Sequence, residues 1–362
     1  MNIQQSAEPE RSVHRLPNEP IETPCFLIYE DAVRHNLRRT AEAAGGIDRL
    51  MPHVKTHRAP WIVKLLLEQG VTAFKCATLA EVEMVLENGG LGVTWAYPTV
   101  NAANLMRFVE LAKRFPDAQL IGLVDSERGI GAWREVLRGA PANIGLRVDL
   151  DPGLGRTGVA MSDEALKLAR ALHAIGRLAG WHVYDGHVKG DREARQQRVT
   201  ALADQVRALR DTLQGEGIET NMTGGGSYTF NLWPADLARH VSPGSWTFSS
   251  AQHDLELADL GWQPAAFVIA TVISVHTGTA TLDAGCKAIS PDKPLAERFR
   301  WEGRIILMNE EHTVVESQDL AVGDRVLLMP QHACTTAYLY PDAMVKTSTG
   351  AWERRPQLGA AR

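Results

Sequence analysis

From Thr23 to about Thr223 the chain repeats one pattern, a short apolar run of strand length followed by a longer stretch whose apolar positions recur at helical spacing. A sheet built that way must be parallel, because each helix carries the chain back to start the next strand. The first run is Cys25-Phe26-Leu27-Ile28-Tyr29, followed by a helix from Glu30 to about Ala44 that Gly45-Gly46 stops. Leu50 to Val54 is a second strand, with a helix over 59–70. Strands at 71–76, 92–96, 119–124, 143–149, 180–184 and 219–223 alternate with helices at 79–88, 101–115, 126–138, 163–175 and 191–215. Eight such strands close naturally into a (β/α)8 barrel. An open doubly wound sheet is the weaker reading, because no G-x-G-x-x-G follows the first strand.

From about Phe267 the texture changes. Val268 to Val275, Thr279 to Asp283, Gly303 to Leu307, His312 to Glu316 and Asp324 to Pro330 are short, β-branched and separated by turns, with no helix expected between them. The chain therefore reads as α/β: a polar arm over 1–22, a barrel over 23–262 and a mostly antiparallel β domain over 263–362. Its 362 residues are ample for two cores, and 44% hydrophobic against 22% charged residues excludes a disordered or fibrous chain. A net charge of −5 leaves no basic footprint for nucleic acid or an anionic membrane surface. No apolar run reaches the roughly 20 residues of a membrane span, and the polar start lacks a signal-peptide core, so a cytoplasmic protein with a small soluble partner is expected. Cys25, Cys76, Cys286 and Cys334 are too scattered for a disulfide framework or a zinc knuckle.

In a parallel barrel the functional groups stand at the carboxyl ends of the strands. Met51-Pro52-His53-Val54-Lys55-Thr56-His57-Arg58 sits at such an end, with one lysine among several basic groups. Nearby cations and partial burial make a lysine amine nucleophilic, so Lys55 is the candidate for capturing an aldehyde, although most lysines simply stand in water. Thr223-Gly224-Gly225-Gly226-Ser227 offers backbone N–H groups and a hydroxyl to a phosphate, and Ser242-Pro243-Gly244-Ser245-Trp246 offers a second clamp. A glycine triplet alone is often only a turn; its place after a late barrel strand raises its weight. A lysine for an aldehyde plus a phosphate cradle points to pyridoxal 5'-phosphate. In Gln331-His332-Ala333-Cys334, residues two apart on an extended segment share a side, so His332 and Cys334 can bind one metal ion, zinc first, with manganese or magnesium as alternatives.

The segments TPCFLIYEDAVRHNL, MPHVKTHRAP, GLRVDLDPGLGRTGV, GWHVYDGHVKG, TGGGSYTF, SPGSWTF, DAGCKAIS, NEEHTVVE and PQHACTTAYLYPD, in order from about residue 20 to about 345, resemble the metal-dependent, fold-type III pyridoxal phosphate enzymes. These include D-serine dehydratase, D-threo-3-hydroxyaspartate dehydratase and D-threonine aldolase. The resemblance implies an alanine racemase-like barrel with a β domain, Lys55 as the cofactor lysine, and His332 and Cys334 as metal ligands. It also implies a homodimer acting on a D-amino acid. Arg147 is expected near the lysine or the cofactor's phenolic oxygen and Tyr184 near its ring, with hydrogen-bonded packing inside the barrel as the alternative for both; His57 is expected at the substrate carboxylate or behind it, and Thr223, Gly225, Gly226, Ser227, Ser245 and Trp246 around the cofactor. Family aldolases look like H-x-D where this chain has Cys334, which favours β-elimination to a 2-oxo acid and ammonia over retro-aldol cleavage to glycine and an aldehyde. A non-catalytic pyridoxal phosphate-binding protein is the remaining alternative. Trp246 stands where the motif usually carries tyrosine, and Ser249 to His253 replaces an acidic, aromatic stretch, so the substrate pocket departs from the pattern.

Overall fold

The computed structural model describes residues 16–17 and 20–362, which form two sheets. The parallel one runs Ala73–Cys76, Gly92–Trp95, Gln119–Val124, Ile144–Asp151, Leu178–Val183, Met222–Gly224 and Ala238–Val241, each strand paired in parallel with the next. Residues 50–53 close the ring. Leu50 bridges Val241 and His53 bridges Lys75; the Met51 N–H donates to Val241 O at 2.9 Å, and the Lys75 N–H to Pro52 O at 3.0 Å. Eight segments circle the axis as the alternation predicts, with residues 50–53 first and Ala238–Val241 eighth.

One member differs from the expectation. Cys25–Tyr29 is outside the barrel, in the other sheet, antiparallel to Ala266–His276 (Cys25 opposite Ile269) and parallel to Asp342–Lys346 (Leu27 opposite Met344). All five of its residues are buried, and a continuous apolar run fits the middle of any sheet, so its periodicity does not say which one it joins. Its replacement, Ala238–Val241, carries Arg239 and His240 and shows no apolar run to be read. The segment after Leu50 is not a regular strand either; it turns at once into the 3-10 turn Val54–Thr56.

The second sheet is mostly antiparallel, with Ala266–His276 pairing Cys25–Tyr29, Thr279–Leu282 and Arg325–Pro330. Beyond the last strand read from the sequence, Arg325–Pro330 leads into the short helix Ala333–Ala337. Phe26 joins the two layers, stacked on Tyr340 at 5.4 Å and edge-on to Phe248 at 5.6 Å. Leu16 and Ile21 pack on Cys25, Leu27 and Ile269; residues 1–15 and 18–19 of the expected arm lie outside the described residues. Among the described residues no helix is long and apolar enough to cross a membrane.

Candidate active site

Lys55 stands in the middle of the turn Val54–Thr56, exposed, at the carboxyl end of the first barrel segment. The turn holds its shape through backbone bonds from the His57 and Arg58 N–H groups to Val54 O, at 3.2 and 2.8 Å. It faces a cavity of about 700 Å³ that Tyr184, Gly226, Ser227, Ser245, His332 and Cys334 also line. Tyr184 forms part of its wall, with Lys55 Nζ 5.7 Å and the Arg156 guanidinium 4.6 Å from the ring centroid.

The two glycine-containing loops meet at this cavity. They follow the seventh and eighth barrel segments, the usual place for a phosphate site in such a barrel. Ser227 Oγ accepts the Ser245 N–H at 3.0 Å and the Gly244 N–H at 3.3 Å. A Cβ on Gly244 would stand 3.0 Å from His53 O and 3.1 Å from Thr56 Oγ1, so glycine lets this loop lie closely against the Lys55 turn. The buried Ser242 hydroxyl beside them lines the cavity and has no hydrogen-bond partner among the described residues. An unpaired hydroxyl within a glycine-built cradle suits the acceptor oxygens of a phosphate.

Asp185, which the sequence reading passed over, fixes the first loop from beneath. Fully buried, it accepts the Gly226 N–H at 3.0 Å, the Thr229 hydroxyl at 2.8 Å and the Trp233 indole N–H at 2.8 Å. Asp185→Asn would turn an amide donor toward one of these donors, so we expect a loss of about 1–3 kcal/mol in folding stability, read by denaturant unfolding, with weaker phosphate-ligand binding. Unchanged stability would remove Asp185 from this role.

The β domain supplies the opposite wall. His332 has extended backbone, whereas Cys334 lies in the first turn of Ala333–Ala337, so the pair is not on the strand-like segment expected; both side chains still line the cavity. Asp292 Oδ2 lies 2.5 Å from His332 Nδ1, leaving Nε2 as the ligating nitrogen. Cys334 Sγ is 3.2 Å from Thr56 Oγ1, the neighbour of Lys55. Burial alone would raise the Cys334 pKa, but the hydrogen bond and charge of His332 outweigh it and lower the thiol, which favours the thiolate a metal needs. Among the described residues no group of three or more His, Cys, Asp or Glu could hold a metal, so an ion here would keep open positions for water or substrate.

Other expected residues do not line this cavity. His57 is buried and turned toward the helix Pro60–Glu68, its Nδ1 accepting the Ala59 N–H at 3.1 Å. Arg147 is buried and packs inside the barrel, donating to Asn221 Oδ1 at 2.8 Å and to Trp181 O at 3.2 Å, which is the alternative allowed for it. Thr223, Gly225 and Trp246 are buried behind the loops, and Gly225, at φ +75°, makes their turn. The interior also holds Lys75 and the pair of His182 Nδ1 and Asp149 Oδ1 at 2.6 Å. Their signal was an inward polar residue in an apolar strand, which sequence alone does not tell from an outward one.

Burial makes several of these imidazoles hard to protonate. The pKa falls from 6.5 to about 3 for His57 and to about 4 for His182 and His240, burial being the largest cause in each. An unfolded chain takes up these protons near pH 6.5, the folded chain only near 3–4. Their contribution to stability is therefore complete above pH 6.5 and lost as pH falls toward 4. Between pH 6 and 5 each costs about 1 kcal/mol per pH unit. Denaturant midpoints at pH 7 and pH 5 should differ accordingly; equal midpoints would contradict it.

Residues 28–251 match the family model for the alanine racemase N-terminal domain. The chain belongs to that family. Residues 265–346 match the serine dehydratase domain family. The chain is 28% identical over 340 residues to 3-hydroxy-D-aspartate aldolase of Paracoccus denitrificans (strain Pd 1222), covering 88% of this chain and 87% of that one. It is 27% identical over 381 residues to D-threo-3-hydroxyaspartate dehydratase of Delftia sp. (strain HT23), covering 92% and 97%. The crystal structure of D-threonine aldolase from Filomicrobium marinum superposes with a TM-score of 0.82 at 25% identity, over 94% of this chain and 97% of that one. Named relatives thus include both dehydratases and aldolases, and pyridoxal phosphate is the cofactor expected of the family.

Proposed function

We propose that this chain is a pyridoxal phosphate- and divalent-metal-dependent dehydratase of a 3-hydroxy D-amino acid such as D-serine or D-threo-3-hydroxyaspartate, releasing a 2-oxo acid and ammonia. The observation that carries it is the 3.2 Å contact between Thr56 and Cys334, which sets a histidine–cysteine pair beside the turn of the exposed lysine. Solved structures of D-threo-3-hydroxyaspartate dehydratase include a histidine-to-alanine variant and a cysteine-to-alanine variant two positions later, the second in a metal-free form. His332 and Cys334 have that spacing here.

The residues divide the work by position. Lys55 would hold the cofactor and then take the proton from the substrate's Cα onto Nζ. Gly226, Ser227, Ser242 and Ser245 would grip the phosphate, with Tyr184 against the ring. His332 and Cys334 would hold the metal, Asp292 fixing the imidazole. Bound pyridoxal phosphate supplies a sink for the electron pair left at Cα, and a divalent metal supplies Lewis acidity at the departing β-oxygen. The reading includes a homodimer, with zinc as the first metal to try.

Retro-aldol cleavage is the second reading, supported by the aldolase names of relatives at 28% identity. Incubating loaded enzyme with D-serine, D-threonine and the isomers of 3-hydroxyaspartate decides between them. Ammonia with a 2-oxo acid supports the dehydratase; glycine with an aldehyde overturns it in favour of the aldolase.

A further inference from the structure

Lys75 lies mid-strand in Ala73–Cys76 and is 2% exposed, yet among the described residues its ammonium has no hydrogen bond and no ion pair. Two neighbours are also unsatisfied. Among the described residues, the buried hydroxyl of Thr94, its register partner on the next strand and therefore on the same side of the sheet, has no hydrogen-bond partner, and neither has the buried ring nitrogen Nε2 of His182. A buried ammonium beside orphaned polar atoms is costly in an empty barrel, and an anion delivered there would satisfy it. Lys75 Nζ and Lys55 Nζ stand 5.6 and 5.7 Å from the centroid of the same Tyr184 ring, so whatever Lys55 holds over that ring has Lys75 at its flank.

In pyridoxal phosphate the ring oxygen sits on the carbon next to the aldehyde-bearing one, on the side away from the phosphate. With the aldehyde at Lys55 and the phosphate at Ser227 and Ser245, that oxygen would face away from the glycine loops, toward the barrel interior. We infer that Lys75 is a second cofactor-contacting lysine, its ammonium pairing with the ionised ring oxygen. The groups facing it are Lys55 and His53 from the first segment, Asp149 from the fifth, Arg156 from the loop after it, and His182 and Asp185 from the sixth and its loop. Burial, aided by the Lys55 charge, lowers the Lys75 pKa to about 7 against the pull of Asp149 and Asp185, so an adjacent anion is what would keep it charged at neutral pH. The inference rests on the proposed cofactor.

The test uses full-length wild type, Lys75→Met and Lys75→Arg, measuring pyridoxal phosphate affinity, the pH titration of the bound cofactor's visible band, and melting with and without cofactor. Loss of one charge-assisted hydrogen bond predicts roughly tenfold weaker binding by Lys75→Met. The band's midpoint moves to higher pH, because a cation beside the ring oxygen favours its ionised form, and Lys75→Arg returns both values toward wild type. Cofactor-free Lys75→Met melts no lower than wild type, since methionine removes an unpaired buried charge, while the rise on adding cofactor shrinks. If wild type loads and Lys75→Met matches its affinity and midpoint, this inference alone is overturned. If wild type takes up no pyridoxal phosphate, the functional reading falls and takes the inference with it.

Discussion

Lys55→Ala should lose covalent attachment of pyridoxal phosphate and at least about a thousandfold of kcat, because one side chain supplies both the amine that holds the cofactor and the base at Cα. The protein should otherwise be intact. Lys55 is exposed, and its turn is held by backbone bonds from His57 and Arg58 to Val54 rather than by the lysine side chain, so folding stability should stay within about 0.5 kcal/mol of wild type. The readouts are the visible absorbance of purified protein, borohydride trapping followed by peptide mapping, and turnover. A cofactor still covalently bound in Lys55→Ala would remove the central assignment, whatever the turnover.

Cys334→Ala should separate the two halves of the site. The barrel residues that would hold the cofactor are untouched, so uptake of pyridoxal phosphate should match wild type, while bound metal disappears and kcat falls by about a thousandfold or more. An unassisted β-hydroxyl is a poor leaving group, and stabilising the departing oxygen is worth several kcal/mol. Exhaustive chelation of wild type should reproduce this loss, and adding back zinc, manganese or magnesium should restore it in the wild type only. Metal analysis alongside turnover is the measurement. Activity that survives both the substitution and chelation would sink the metal-dependent mechanism.

The barrel was legible because strand–helix alternation is a property of the whole chain and tolerates an error in any one member. Its count survives although Cys25–Tyr29 belongs elsewhere and Ala238–Val241 takes its place. Five buried apolar residues describe a central strand without naming its neighbours, and Ala-Arg-His-Val carries too little apolar character to register. Lys55, Gly226, Ser227, Ser245, His332 and Cys334 were visible because each lies in a compact run of unusual residue types. Asp185, Asp292 and Lys75 were not. Their partners are 41, 40 and 22 residues away or more, as with Asp185 and Gly226, His332 and Asp292, and Lys75 and His53, and only the closed ring brings them together. Arg147 sits in the resembling motif, and the motif alone does not tell a cofactor contact from barrel-interior packing; here its guanidinium hydrogen-bonds Asn221 and Trp181.

The position of Cys25–Tyr29 limits how such chains can be recombined. It is held between Ala266–His276 on one side and Asp342–Lys346 on the other, with Phe26 against Tyr340. A chimera that takes its C-terminal third from a relative would graft a foreign seam onto a resident N-terminal strand, and a fragment cut before Ala266 would leave that strand's apolar edge without neighbours and open to self-association. Shuffling of the two lobes should succeed only when residues from both extremes of the polypeptide travel together.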